Sequence, residues 1–223
     1  LLFVSDGSAD PDKNTGSFGW ILSRQNGQRL ATCNGPVYTY KATSYRSEGY
    51  GILSILRFVY NVINLRHLAN VPSHKLHCDN EKMVKRCQKL PKPHQMVPNR
   101  RVVAEWDVLA EVWETTRSIP EGSRPTISWI RGHQDKHTAY ENLSLEAQLN
   151  VDADELAATY VRTHPNKDYK KSHLFPTSGI QLHIQSGTVT YQLQRVATRT
   201  RTGKVLEDYL CEKNEWSHQT LKD

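Results

Sequence analysis

The chain contains no run of eighteen apolar residues, and hydrophobic residues occupy only 37% of its 223 positions, in short scattered blocks. That is enough for a core but supplies no candidate membrane span, and no membrane partner is expected. The four cysteines, Cys33, Cys78, Cys87 and Cys211, form no CxxC pair. Neither zinc ligation nor a disulfide framework is suggested, and a reducing compartment fits best. No internal repeat or low-complexity tract is visible. The opening Leu1-Leu2-Phe3-Val4-Ser5-Asp6 has no methionine and lacks the length, basic flank and cleavage site of a signal peptide. It reads as a strand, so the chain is expected to be a piece of a longer one. Positive charge is in modest excess, with a formal net charge of +6 and a pI near 9.1. This balance favours polyanionic partners, although many soluble proteins are mildly basic. The length allows one large domain, or one medium domain with an appendage.

Three short apolar blocks come first, Leu1–Ser5, Phe18–Leu22 and Arg29–Cys33. The turn signals Asp10-Pro11 to Thr15-Gly16 and Gln25-Asn26-Gly27-Gln28 between them suit an antiparallel meander. The period then changes. From Ser44 to about Leu65 the apolar residues Ile52, Ile55, Leu56, Val59 and Ile63 fall on one helical face. A short strand over Lys75–Cys78 leads to Asp79, and a helix to about Lys89 stops before Pro91 and Pro93. A helix over Val102–Thr116, a strand over Thr126–Arg131 and a helix over Leu145–Val161 complete this part. Such an order implies a mixed sheet covered by helices. Beyond His164 the texture shifts. Asn166–Ser172 is polar, Ile180–Gln194 alternates around Ser186-Gly187 as a hairpin does, and Val196–Cys211 suits a short helix.

Three acids stand at positions that chemistry uses. Asp6 ends the first apolar block before Gly7, where an Asx-turn residue is the plain alternative. Glu48 lies in the first turn of the first helix, where it could simply meet the helix macrodipole. It also shares the stripe of Ile52, Ile55 and Val59, however, and an acid on a buried face needs a partner, which a metal ion would provide. Asp79 follows a strand, the usual place for a site in an α/β sheet, but Asp79-Asn80 is also an ordinary helix cap. On the last helix Asp152 shares the stripe of Leu145, Leu149 and Leu156, and Asp154 that of Ala147, Val151, Ala158 and Val161. Periodicity does not choose between them.

Together these stretches are more specific than any one of them. Ser5-Asp6-Gly7-Ser8, Gly19-Trp20, Arg46-Ser47-Glu48, Asp79-Asn80, Trp129-Ile130-Arg131-Gly132-His133 and Asp154-Glu155-Leu156-Ala157 occur in the order and spacing of a type 1 ribonuclease H domain. The chain resembles such a domain over roughly Leu1 to His164, and more closely the kind fused to retrotransposon reverse transcriptases. The resemblance implies an α/β ribonuclease H-like fold, with a five-stranded mixed sheet (three antiparallel strands, then parallel ones) flanked by helices. It places the nuclease domain at 1–164, leaving 165–223 as a C-terminal hairpin-plus-helix extension of unknown role. In integrases and transposases of related fold the glutamate lies on a late helix, so Glu48 on the first helix favours ribonuclease H.

The resemblance further implies a metal-dependent endonuclease that hydrolyses the RNA strand of RNA–DNA hybrids, leaving 5′-phosphates. Asp6, Glu48, Asp79 and Asp154 would hold two Mg²⁺ ions, for which Mn²⁺ can substitute. Asp154 is favoured over Asp152 because it precedes Glu-Leu-Ala. His133 would assist proton transfer or product departure. The interval from His133 to Asp154 is longer than in compact bacterial enzymes, which makes His137 a minor rival. Gly7, Ser8, Thr43, Ser44 and Asn80 would meet the substrate, reading the 2′-hydroxyls that distinguish RNA. Ser44 and Tyr45 stand where bacterial members carry asparagines. Lys82, Lys85, Arg86, Lys89, Lys92, Arg100 and Arg101 form a basic run without an acid. The run is either a solvated face or a phosphate grip, with Lys85, Arg86 and Lys89 as the named contacts. A reverse transcriptase domain in the parent chain and a nuclear or cytoplasmic location are the corresponding expectations. A non-catalytic hybrid-binding or scaffolding module of the same fold is the alternative.

Overall fold

The computed structural model describes residues 1–39, 41–67, 74–89 and 104–165, and beyond them Phe175, 182–184, 187–189, Thr198, Asp208 and Cys211. Three antiparallel strands open the chain: β1 (Leu2–Asp10), β2 (Thr15–Ser23) and β3 (Arg29–Pro36). The first turn is closed by the Asp10 carboxylate, which accepts the N–H groups of Asp12 and Lys13 at 3.1 Å. In the second, Gly27 takes a φ of +87°, a conformation that suits glycine. Helix α1 (Ser44–Arg66) follows, capped by the Thr43 hydroxyl oxygen, then β4 (Lys75–Cys78), α2 (Glu81–Gln88) and α3 (Trp106–Ser118). Strand β5 (Thr126–Trp129) and helix α4 (Leu145–Thr163) come next. A short antiparallel pair, β6 (Leu182–Ile184) and β7 (Gly187–Val189), lies in the C-terminal segment.

The main sheet is five-stranded, in the order β3-β2-β1-β4-β5. Strand β1 pairs antiparallel with β2 and parallel with β4, and β4 pairs parallel with β5. This is the mixed sheet that the resemblance implies. On one face Phe3, Trp20 and Leu76 pack with Ile52, Ile55 and Leu56 of α1 and Val108, Leu109 and Val112 of α3. On the other, Leu2, Val4 and Ile21 meet Leu149 of α4. Helix α4 sits unusually close to the sheet, since a Cβ on Gly19 would lie 2.3 Å from the Ala153 carbonyl oxygen. Two hydrogen bonds fix that contact: Ser17 Oγ to the Ala157 carbonyl at 2.7 Å and Asn34 Nδ2 to the Leu156 carbonyl at 3.0 Å. Phe175 belongs to the main core, with its ring 5.6 Å from that of Tyr50 and beneath the Arg57 guanidinium.

Several boundaries differ from the sequence reading. Strand β1 continues to Asp10, so Asp6 lies within the strand opposite Gly19 rather than at its end. The polar residues after Asp6 hide a strand that β2 extends by pairing. Helix α3 starts at Trp106 rather than Val102, and β5 stops at Trp129. The basic residues Lys92, Arg100 and Arg101 and the stretch 166–172 lie outside the described residues. Of the helix expected over Val196–Cys211, only Thr198, Asp208 and Cys211 are described, each with helical backbone.

The start of α1 is anchored by a buried charge network. Arg46, 1% exposed, bonds Glu105 Oε2 at 2.7 Å, both Asp107 oxygens at 2.9 and 2.8 Å, and the Tyr38 carbonyl at 2.9 Å. Thr43 Oγ1 also donates to Glu105, at 3.3 Å. The network spans α1 and the start of α3, so it holds the turn from which Glu48 projects. Arg46→Ala would remove the cation that two buried carboxylates share, and we expect it to cost about 3–5 kcal/mol of stability in urea denaturation. A loss below about 1 kcal/mol would show that the network contributes no more than a surface pair.

Candidate active site

Strand β4 is short. Its last pair with β1 joins Cys78 to Ser5, and β1 runs on past it with that edge unpaired among the described residues. The Gly7 N–H at this point donates to two acids, Asp6 Oδ1 at 2.6 Å and Glu48 Oε1 at 3.1 Å. Gly7 must be glycine here. A Cβ would lie 2.5 Å from the Glu48 backbone nitrogen, so its absence lets α1 rest directly on β1. With the cap at Thr43, Glu48 falls in the second turn of α1, beyond the free N–H groups, so it does not act as a partner for the helix dipole. Glu48 is 3% exposed and Asp6 4% exposed.

Asp79 follows β4 directly and is held by the segment after β5. Its backbone carbonyl accepts the Trp129 indole N–H at 2.8 Å. Its carboxylate packs against Gly132, where a Cβ would lie 2.1 Å from Asp79 Oδ2. Glu48, Cys78 and Asp79 each bring one potential ligand atom within 4.8 Å of the others. The Cys78 thiol donates to Glu48 Oε2 at 3.4 Å and so acts as a buried neutral donor to the acid. Asp6 and Asp154 lie outside that tightest group, but both feel the charge of Asp79. Asp154 is half-buried on α4, and among the groups acting on it His133 favours its ionised form while Asp79 opposes it. Asp152 turns elsewhere, accepting from Arg29 Nη2 at 2.5 Å and from the Tyr140 hydroxyl at 2.9 and 3.0 Å.

The electrostatics follow from this crowding. Burial, then the charges of Asp79 and Asp154, push Asp6 well above the usual carboxylate range. Burial, then Asp6 and Asp79, do the same to Glu48. A carboxyl with a raised folded-state pKa keeps its proton after the unfolded chain has lost it, so folding weakens as pH rises through that window. In EDTA, therefore, Glu48→Gln should melt higher than the parent at pH 8, and the gap should close towards about pH 4. A gap that stays constant with pH would mean that Glu48 carries no such strain.

The other residues named from the sequence are more scattered. His133 is exposed, with a left-handed backbone (φ +51°), and opens a one-turn 3-10 helix, Gln134–Lys136. His137 ends that turn. Ser8 is half-buried, and its carbonyl accepts from Ser47 Oγ at 3.0 Å. Ser44 is exposed at the start of α1. The Asn80 side-chain oxygen caps α2, accepting from Met83 N at 3.1 Å, which directs its amide nitrogen elsewhere. Lys85 is exposed and pairs with Glu81 at 2.6 Å, and Lys89 is exposed just past α2. Arg86 is turned inward, its guanidinium over the Tyr45 ring and bonded to the Ala104 carbonyl at 3.2 Å. Sequence reasoning missed Asn150. It is 3% exposed on α4, and its Nδ2 donates to Asp6 Oδ2 at 2.8 Å. The signal was an amide on the alanine line Ala147–Asn150–Ala153–Ala157, which is the buried face of α4.

A five-stranded sheet in the order β3-β2-β1-β4-β5, with β1 antiparallel to β2 and parallel to β4 and helices packed against it, is the ribonuclease H fold. Two solved structures share it. The first is described as LC11-RNase H1 in complex with an RNA/DNA hybrid, with a TM-score of 0.50 and 14% identity, covering 74% of this chain and 99% of that one. The second is the solution structure of the PFV RNase H domain, with a TM-score of 0.50 and 19% identity, covering 72% of this chain and 94% of that one. No protein-family model matches the sequence, and no curated protein matches it significantly.

Proposed function

We propose that this chain is a divalent-metal-dependent endonuclease that hydrolyses the RNA strand of RNA–DNA hybrids. The observation that carries the proposal is the meeting of Asp6, Glu48 and Asp79 on one unpaired strand edge, with burial and mutual repulsion as the main influences on Asp6 and Glu48. Crowding of this kind is costly unless a cation relieves it. The donor set is rich in carboxylate oxygen, which suits Mg²⁺ or Mn²⁺. Asp6, Glu48, Asp79 and Asp154 would hold two such ions. When bound, these would supply an activated water and neutralise charge on the leaving 3′ oxygen.

The chain's own groups do the rest. His133, on its exposed turn, would take up or deliver a proton as the product leaves. Gly7, Ser8, Thr43, Ser44 and the Asn80 amide line the approach from which 2′-hydroxyls are read. Lys85 and Lys89, with the exposed Lys82, would grip phosphate without sequence preference. Arg86 contributes by bracing α2 against Tyr45. The motif resemblance supports placing the domain in a retroelement polyprotein, beside a reverse transcriptase domain and inside a cell.

A panel of duplexes of one sequence tests the substrate class. We expect the RNA strand of the hybrid to be cut, and double-stranded RNA and double-stranded DNA of that sequence to survive. Equal cutting of double-stranded RNA would overturn the hybrid specificity.

A further inference from the structure

The Asp6 carboxylate is held at both oxygens by neutral donors. Oδ1 takes the Gly7 N–H at 2.6 Å and Oδ2 takes Asn150 Nδ2 at 2.8 Å. No motif stretch includes Asn150, yet it is only 3% exposed. It lies one helical turn before Asp154, so the helix that brings an amide to Asp6 also carries the acid on which Asp79 and His133 act.

The choice of an amide has a physical consequence. A lysine or arginine here would neutralise Asp6 and compete with any cation drawn to it. An amide donates one hydrogen bond, sets the plane of the carboxylate and leaves its full charge in place. Partners of this kind orient metal-binding side chains, and their loss weakens metal affinity about 10- to 100-fold. The seating of α4 does not depend on this bond alone. Ser17 to Ala157, Asn34 to Leu156 and the close contact at Gly19 hold the helix on the sheet independently.

We propose that Asn150 is a positioning residue for the metal centre, orienting Asp6 from α4 so that cation uptake depends on the helix that also carries Asp154. This rests on the metal-dependent reading above. The direct test is Mn²⁺ binding, followed by calorimetry and by the loss of free-ion paramagnetic resonance signal, on the parent chain and on Asn150→Ala. We expect the Ala variant to bind Mn²⁺ about 10- to 100-fold more weakly. The Mg²⁺ concentration for half-maximal cleavage should rise by the same factor, with the rate recovering at saturating Mg²⁺. A purely structural role would instead lower the melting point in EDTA and leave Mn²⁺ affinity unchanged. Asn150→Leu, close to the original volume, provides the same comparison if the Ala variant does not fold. A parent that binds Mn²⁺ and variants that bind it equally well would overturn the role of Asn150 alone. A parent that takes up no Mn²⁺ would overturn the metal-dependent reading and this proposal with it.

Discussion

Asp79→Asn is expected to slow cleavage of the RNA strand by about 100- to 1000-fold while hybrid binding persists. Under the proposed function Asp79 would be a metal ligand; a bound metal supplies several kcal/mol of transition-state stabilisation, and each 1.36 kcal/mol is a factor of ten in rate. Asparagine keeps the shape of the side chain. The Trp129 bond goes to the Asp79 backbone carbonyl, which the substitution leaves alone, and the contact with Gly132 accommodates an amide as well as a carboxylate. The loss therefore falls on charge, not on the fold. It should also relieve Asp6 and Glu48, both of which Asp79 repels, so the variant should melt no lower than the parent in EDTA. Single-turnover cleavage in Mg²⁺ and anisotropy binding in Ca²⁺ separate the two effects. A variant that cuts as fast as the parent would remove Asp79 from the site.

Gly132→Ala should cost nearly as much by a different route. The added Cβ would meet Asp79 Oδ2 at 2.1 Å and Asp79 Cγ at 2.9 Å. The obstructing atoms all belong to one short side chain, with Asp79 Cβ also close at 3.1 Å, so the methyl is accommodated by turning the carboxylate away and shifting Asp79 by a few tenths of an ångström. A misplacement of about 1 Å at a reacting group can cost about 100-fold in rate. We expect that loss, with a melting temperature within a few degrees of the parent's. A parent-like rate would show that Asp79 works equally well from a displaced position. A collapse in stability would show that Gly132 serves the fold and not the site.

The residues differ in how plainly the sequence displayed them. Glu48 was legible because helical periodicity put an acid on a stripe that proves buried, and burial of an acid requires explanation. Lys75–Cys78 was legible to the residue, since Leu76 and Cys78 alternate with polar residues directly before Asp79-Asn80. Asp6 was found through its motif but placed at a strand end. Strand β1 continues through polar residues because β2 pairs with them, and that partnership is long-range. Asp152 and Asp154 could not be separated by periodicity because the buried line of α4 runs between their stripes, through Asn150, Ala153 and Ala157. What distinguishes them is tertiary: Arg29 and Tyr140 engage Asp152. Arg86 counted as a phosphate contact through its place in the basic run that follows Asp79, whereas its neighbours Tyr45 and Ala104 turn it inward. Asn150 was passed over because an amide in a helix carries no motif, and its meaning depends on the strand it faces.

The most direct test uses one hybrid labelled separately on its RNA and DNA strands, incubated with the domain in Mg²⁺ and again with EDTA. The account predicts fragments of the RNA strand alone, ending in 5′-phosphate and 3′-hydroxyl, and none once EDTA is added. Hybrid binding that ignores Mg²⁺ and yields no RNA fragments would contradict it.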